Sequence, residues 1–219
     1  MRRVTVGRRL RVLTLGAVVA LALAAIQAPA FAREQNTGSG GVVLPPSAMP
    51  HGFSLSAAAL ATAVFNTTNH SGAQPDVPFQ MLVTTATNTF NVRPGTMLYV
   101  PVAQADDSPP ILGDFPQNSS TAVSYFFGSS ELGGHNFSIT VDGKTTPIGS
   151  QFLVGPVTTA PLADGGGTHY MTLAAFLTPL TPGTHTVAIE GHFSGAAVLN
   201  FFHAPVDFVV TYTVNVRIP

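Results

Sequence analysis

The sequence predicts a mainly β protein, a two-layer antiparallel β-sandwich of jelly-roll or Ig-like type with one or two short helices. Three observations predict it. From residue 79 onward, short runs rich in Val, Phe, Thr and Ile alternate apolar with polar residues, the period of a strand with one buried face. Turn residues separate these runs at short intervals, drawn from 21 glycines and 18 prolines. Cysteine is absent from the 219 residues. No disulfide framework can therefore replace an apolar core, and a chain of this length can supply one.

Residues 1–32 read as a secretory signal peptide. Arg2, Arg3, Arg8, Arg9 and Arg11 form a basic start, an apolar run covers 12–25, and Ala30-Phe31-Ala32 offers a small-residue cleavage site. The apolar run, about 15 residues, falls short of the ~20 needed to span a bilayer. The expectation is an exported chain, secreted, periplasmic or at the cell surface, with no membrane span after cleavage behind Ala32. Export without cysteine reads as bacterial. Cleavage leaves four basic residues (Arg33, Arg93, Lys144, Arg217) against ten acids, a formal charge of 4 − 10 = −6. Four scattered cations cannot neutralise a row of phosphates, which excludes nucleic acid as a partner and disfavours anionic membranes. The lack of cysteine also excludes a thiol nucleophile, a thiolate metal site and a cysteine-linked lipid.

Residues 33–50, with Gly-Ser-Gly-Gly and Pro-Pro, read as a flexible lead-in, and 51–219 as the sandwich domain. SLSAAALATAVF (54–65) has helical spacing at Leu55, Ala58, Ala59, Thr62 and Phe65, with Ser54 or Ser56 as cap. FQMLVTT (79–85) and TNTFNV (87–92) read as strands. Arg93-Pro94-Gly95-Thr96 is suited to a type II turn before the strand TMLYVPVA, whose Pro101 places its far half at a sheet edge. SSTAVSYFFGSS (119–130) can insert a short helix. HNFSITVDGKTTPI (135–148) predicts a hairpin about Asp142-Gly143. HYMTLAAFL (169–177), apolar on both faces, predicts a central strand, and Thr181-Pro182-Gly183-Thr184 turns the chain into HTVAIEG as its predicted hairpin partner. LNFFHAP (199–205) reads as a loop, and VDFVVTYTVNVRI (206–218) as a long half-buried strand.

The pieces FNVRPGTMLYVPVAQADDS, NFSITVDGKTTPI, HYMTLAAFLTPLTPGTHTVAIEG and VDFVVTYTVNV, in that order between residues 79 and 216, resemble a family of exported bacterial β-sandwich proteins with no assigned activity. The chain differs from that family in having no tryptophan in the N-terminal helix and no cysteine near Ala105 to Ser108. The resemblance implies the fold and the exported location, and carries over no catalytic residue.

Four kinds of chemistry are candidates. In QADDSPPILGD, Asp106, Asp107 and Asp114 offer the hard oxygen ligands that calcium prefers, with Glu131 and Asp164 as remote additions; the alternative is a solvated acidic loop. Seven histidines occur without the helical spacing of a zinc protease, and His185, in line with Val187 and Ile189, is expected to close the core and hydrogen-bond a loop. No G-x-S-x-G elbow is present, and GGGTH (165–169) lacks the helix of a phosphate-binding loop. For ligand stacking, tryptophan is absent, and Tyr125, Phe201, Phe202 and His203 are the candidate contacts, against the tendency of such rings to be buried.

The reading that follows is a non-enzymatic binding or interaction module for a polar extracellular partner such as a glycan or protein. The alternative is a metal-assisted hydrolase or lyase using the Asp106/Asp107/Asp114 loop and a histidine. A subunit that adds strands at sheet edges is the third class.

Overall fold

The computed structural model describes residues 40–67, 74–163 and 165–218. The signal sequence, His70 and Asp164 lie outside the described residues. Along the chain come α1 (Leu55–Thr67), β1 (Phe79–Met81), β2 (Thr89–Val92), β3 (Met97–Asp106), α2 (Ser119–Phe127), β4 (Gly134–Val141), β5 (Lys144–Pro147), β6 (Leu153–Thr158), β7 (His169–Leu177), β8 (Gly183–Phe193), α3 (Ala196–Phe202) and β9 (Val206–Val216). The strands form two sheets, ordered β1-β3-β7-β6 and β2-β9-β8-β4-β5, around one apolar core. The expected two-layer sandwich is thus present. Its central pairs are antiparallel, while β1 on β3 and β2 on β9 run parallel, so both sheets are mixed.

Strands β3 and β7 are apolar on both faces and buried on both over most of their length. One face meets the other sheet. The opposite face is covered by α1, which packs against β6 and β7. The Ser54 hydroxyl accepts the Ala57 N–H at 3.1 Å to cap the start of the helix. Ala58, Ala59, Thr62 and Ala63 are all fully buried, so the middle of the contacting face carries small side chains that permit a close approach to the sheet, with Leu55 and Phe65 buried toward its two ends. Thr62 and Thr67 turn their hydroxyls back onto the carbonyls of Ala58 and Ala63, at 2.8 and 2.9 Å. At the end of the helix, Asn66 donates to the Tyr170 hydroxyl at 2.7 Å and to Gln104, and Tyr170 donates to Gln104 at 3.0 Å. Polar groups under the helix are therefore paired with one another. The exception is Tyr99, whose fully buried hydroxyl makes no hydrogen bond among the described residues although Thr62 lies beside it.

The Pro-Gly turns do not close hairpins. Strand β2 lies in one sheet and β3 in the other, and the same holds for β7 and β8. The predicted pairing of 169–177 with the strand after Pro182 is corrected accordingly: β7 pairs with β3 and β6, and β8 with β4 and β9. Two strands that each bury both faces or carry an inward apolar row gain more by stacking across the core than by pairing edge to edge. Gly95, at φ +84°, supplies the left-handed position of the first corner. Registers place both corners at one end of the sandwich, since Leu98 faces Leu177 and Gly183 faces Val216. We call the other the loop end.

Other expectations fared according to local chemistry. Past Tyr99, β3 has β7 as its only strand neighbour among the described residues, which leaves Pro101 on the part of the strand that β1 does not reach. The hairpin about Asp142-Gly143 forms, as β4 and β5. Strand β6 was not predicted because Gly155-Pro156 interrupts it; it sits at a sheet edge, and its pairing with β7 shifts register across those two residues. Residues 40–44, within the stretch assigned to the lead-in, run beside the end of β7, with Leu44 N–H on the Phe176 carbonyl at 2.8 Å. No described helix is long and apolar enough to cross a membrane.

Two stability measurements follow. Ala59→Leu, which forces a larger side chain between α1 and β7, is expected to cost about 1–3 kcal/mol in urea unfolding, whereas Leu60→Ala on the exposed side should stay within about 0.5 kcal/mol. Tyr99→Phe removes a hydroxyl that is desolvated without a partner, and is expected to leave stability unchanged or raise it by up to about 1 kcal/mol; a loss of that size would show the hydroxyl to be bonded.

Candidate functional site

Three segments meet at the loop end. The stretch from Asp107 through α2 leads from the end of β3 to the start of β4, α3 joins the end of β8 to the start of β9, and the turn before β7 completes the rim. Helix α2 starts at Asn118, whose side chain accepts the Ser120 N–H at 3.0 Å. It is anchored by Phe126, whose ring lies 5.8 Å from Phe137 and 5.5 Å from Phe193. The α2–β4 loop then fixes α3: the N–H groups of Gly195, Ala196 and Ala197 donate to the carbonyls of Leu132, Ser129 and Glu131 at 2.9, 2.8 and 3.1 Å. Gly133 and Gly195 approach so closely that a Cβ on either would collide with the backbone of the other.

The aspartates of the acidic loop are placed at this end but do not converge. Asp106 accepts the Ser108 N–H at 2.9 Å, a local turn. Asp107 reaches across to the β7 turn: Oδ1 accepts the N–H groups of Thr168 and His169 at 2.7 and 2.8 Å, and Oδ2 meets His169 Nδ1 at 2.8 Å. Partial burial opposes ionisation of this carboxyl, but the His169 amide, the His169 side chain and the Thr168 amide together outweigh it and hold the pKa below the ordinary aspartate value. Asp114 is exposed, and its N–H donates to Glu131 Oε2 at 3.1 Å. Among the described residues no three His, Asp or Glu side chains gather about a common metal position.

The aromatic candidates divide. Tyr125 is buried, with its hydroxyl on the Leu112 carbonyl at 2.7 Å and its ring edge-on to Phe115 at 5.4 Å. Burial, then the charges of Glu131 and Asp106, raise its pKa. Its expected place as a ligand contact is corrected: the ring is part of the core beneath α2. Phe201 and Phe202 remain at the surface, 41% and 36% exposed, in a T-shaped pair with centroids 4.9 Å apart. They belong to a helix rather than the expected loop, because the run AAVLNFF docks Val198 on the core and His203 ends it in the left-handed conformation at φ 60°. Leu199, 40% exposed, adds to the same apolar surface.

The open face of the five-stranded sheet carries polar rows that sequence reasoning did not assemble. Thr140 bonds Thr145 at 2.8 Å, Ser138 donates to Glu190 at 2.8 Å, and Thr184, Asn215 and Asn91 form a chain at 2.9 and 3.2 Å. At the loop end, Asp207, His192 and His135 stand side by side on β9, β8 and β4. The period-two pattern put His192 and Asp207 on this face but would set His135 with buried Phe137; the register shift between His135 and Ser138, where Asn136 takes φ 56°, turns His135 to the open side. The other missing signal was which strands are neighbours. His185 behaves as its pattern implied. It is buried at the corner end, with Nδ1 on Asp142 at 2.7 Å and Nε2 on the Thr181 carbonyl at 2.8 Å.

Asp107 gives a pH test with a definite sign. Because its folded pKa is depressed, its contribution is fully present above the unfolded value of about 3.9 and is lost as pH falls through the folded value. Asp107→Asn is expected to destabilise by about 1–3 kcal/mol near neutral pH, the worth of hydrogen bonds to a charged group. The difference from the parent, measured by thermal unfolding, should shrink below about pH 4.

No family model matches the chain, and no curated protein matches it. Among solved structures, one titled "Solution Structure of Amebosin" aligns with 64% of this chain and 100% of its own, at 16% identity and a TM-score of 0.26. That likeness is too low to carry an argument about fold or function.

Proposed function

We propose that the chain is an exported, non-enzymatic interaction module that binds a polypeptide partner at the loop end of the sandwich. The observation that carries this reading is the exposed apolar surface of α3, where Leu199, Phe201 and Phe202 are held outward by a helix tied to the α2–β4 loop. Large apolar side chains gathered on one short element beside a polar sheet face are the composition of a protein-binding patch with a polar rim. A glycan is the weaker choice of partner. Sugar faces stack on exposed Trp or Tyr, whereas tryptophan is absent and Tyr99, Tyr125, Tyr170 and Tyr212 are all buried.

The hydrolase alternative needs titratable groups that converge on a reacting atom. The acidic-loop histidine partner, His169, is bound by Asp107 in a structural clip, and among the described residues no serine or threonine hydroxyl meets Nε2 of His169, His185 or His192. These contacts favour the binding reading.

A displayed random-peptide library is expected to enrich a shared apolar motif on the parent chain and to lose that enrichment on the Phe201→Ser/Phe202→Ser variant. Soluble oligosaccharides should bind neither protein. Equal enrichment on both proteins, or saturable oligosaccharide binding, would contradict the proposal.

A further inference from the structure

The row Asp207–His192–His135 has an arrangement unlike that of any other histidine in the described chain. His135 and His192 are directly opposed on β4 and β8, with ring centroids 4.2 Å apart and planes inclined at 59°. Both face the open side of the sheet; His135 is exposed and His192 half-buried. In each ring Nδ1 is already engaged by an acceptor. The Gly133 carbonyl stands 2.9 Å from His135 Nδ1, and the Asp207 carboxylate takes His192 Nδ1.

A carbonyl and a carboxylate both require a donor, so each neutral ring carries its proton on Nδ1 and its lone pair on Nε2. Neither Nε2 has a hydrogen-bond partner among the described residues. Imidazoles that ligate metals are held in this way, with the far nitrogen donating to a carbonyl or carboxylate that fixes the tautomer and raises ligand basicity. The other paired histidines lack the set. His185 has both nitrogens occupied, and His169, though held by Asp107, has no neighbouring imidazole among the described residues.

We propose that Nε2 of His135 and Nε2 of His192 together chelate one divalent first-row transition-metal ion on the open sheet face, with copper(II) bound more tightly than zinc(II). Two neutral nitrogen donors select borderline ions over calcium or magnesium, and copper(II) stands highest among them for such ligands. Water completes the coordination sphere, so the ion is held by two side chains and stays open to further ligands. Asp207 is a positioning residue: it sets the His192 tautomer and does not itself touch the ion. Directly opposed strand positions bring side chains to a common point without any backbone movement, which makes the site part of the folded sheet. This inference stands apart from the polypeptide-binding reading.

Copper(II) chloride titrated into the full chain, followed by electron paramagnetic resonance, tests it. The expected result is one ion per chain with hyperfine coupling to two imidazole nitrogens. His135→Gln and His192→Gln should each weaken binding more than tenfold and remove one nitrogen, while Asp207→Asn should keep both nitrogens and weaken binding about 10- to 100-fold. His203→Gln and the Phe201→Ser/Phe202→Ser variant should bind as the parent does, which separates this site from the peptide patch. A second readout needs no variant: copper(II) should shield His135 and His192 of the parent from diethyl pyrocarbonate while leaving His51 reactive. Unchanged affinity in either His→Gln variant, coupling to fewer than two nitrogens, or no shielding of the pair would overturn the proposal.

Discussion

The structure depends on one constraint: β3 and β7 are apolar on both faces, so the sheet they build must be covered twice. The second sheet covers one side, and α1 the other. The small buried face of α1, Ala58, Ala59, Thr62 and Ala63, fits a close approach to the sheet. Close approach brings Asn66 within reach of Tyr170 and Gln104, so polar groups that the helix desolvates are satisfied by one another. Burial also pushes the Tyr170 hydroxyl up to about 12, well away from titration at neutral pH. With α1 placed on one sheet, the outer face of the other is left open, and that is where the polar rows of Thr, Ser, Asn, Glu and His are found.

The two ends of the sandwich then take different parts. The corner end is closed by short Pro-Gly crossings, and His185 fastens it from within by reaching Asp142 and Thr181 at once. The loop end carries the long connections, with α2 and α3 laid across it and clamped together by backbone hydrogen bonds and the Gly133–Gly195 contact. A rigid frame that displays side chains from well-tied connections is suited to recognition, because the ordering cost is met in folding rather than in binding. The apolar surface of α3 and the imidazole pair on β4 and β8 both belong to this end.

Much of this was legible in the sequence, and the gaps have physical causes. Alternation put Val187, Ile189 and His185 on one face and marked 169–177 as a strand buried on both sides; both readings depend only on local period. The turn residues of Arg93 to Thr96 were legible as well, but turn chemistry does not tell whether the chain returns to the same sheet or crosses to the other. The hairpin reading of β7 and β8 failed on that point. Helix α3 was hidden because AAVLNFF is seven residues with one buried anchor, Val198, too short to show a period. The acidic loop looked like a site because three aspartates lie close in sequence. In space Asp106 turns onto Ser108, Asp107 onto the β7 turn, and Asp114 lies exposed, while the two imidazoles that do stand together come from residues 57 apart, 192 − 135, on strands whose adjacency no local pattern reveals.

The measurement that tests the central claim most directly is amide hydrogen exchange followed element by element in the native state. If double coverage of β3 and β7 holds the fold together, the amides of α1 around Ala59 to Ala63 should exchange together with those of β3 and β7, through the same global opening, and slower than β5 at the margin of the open sheet. Exchange of α1 through a separate opening of much lower energy, with β3 and β7 still protected, would contradict the account, because the sheet would then stand without its cover.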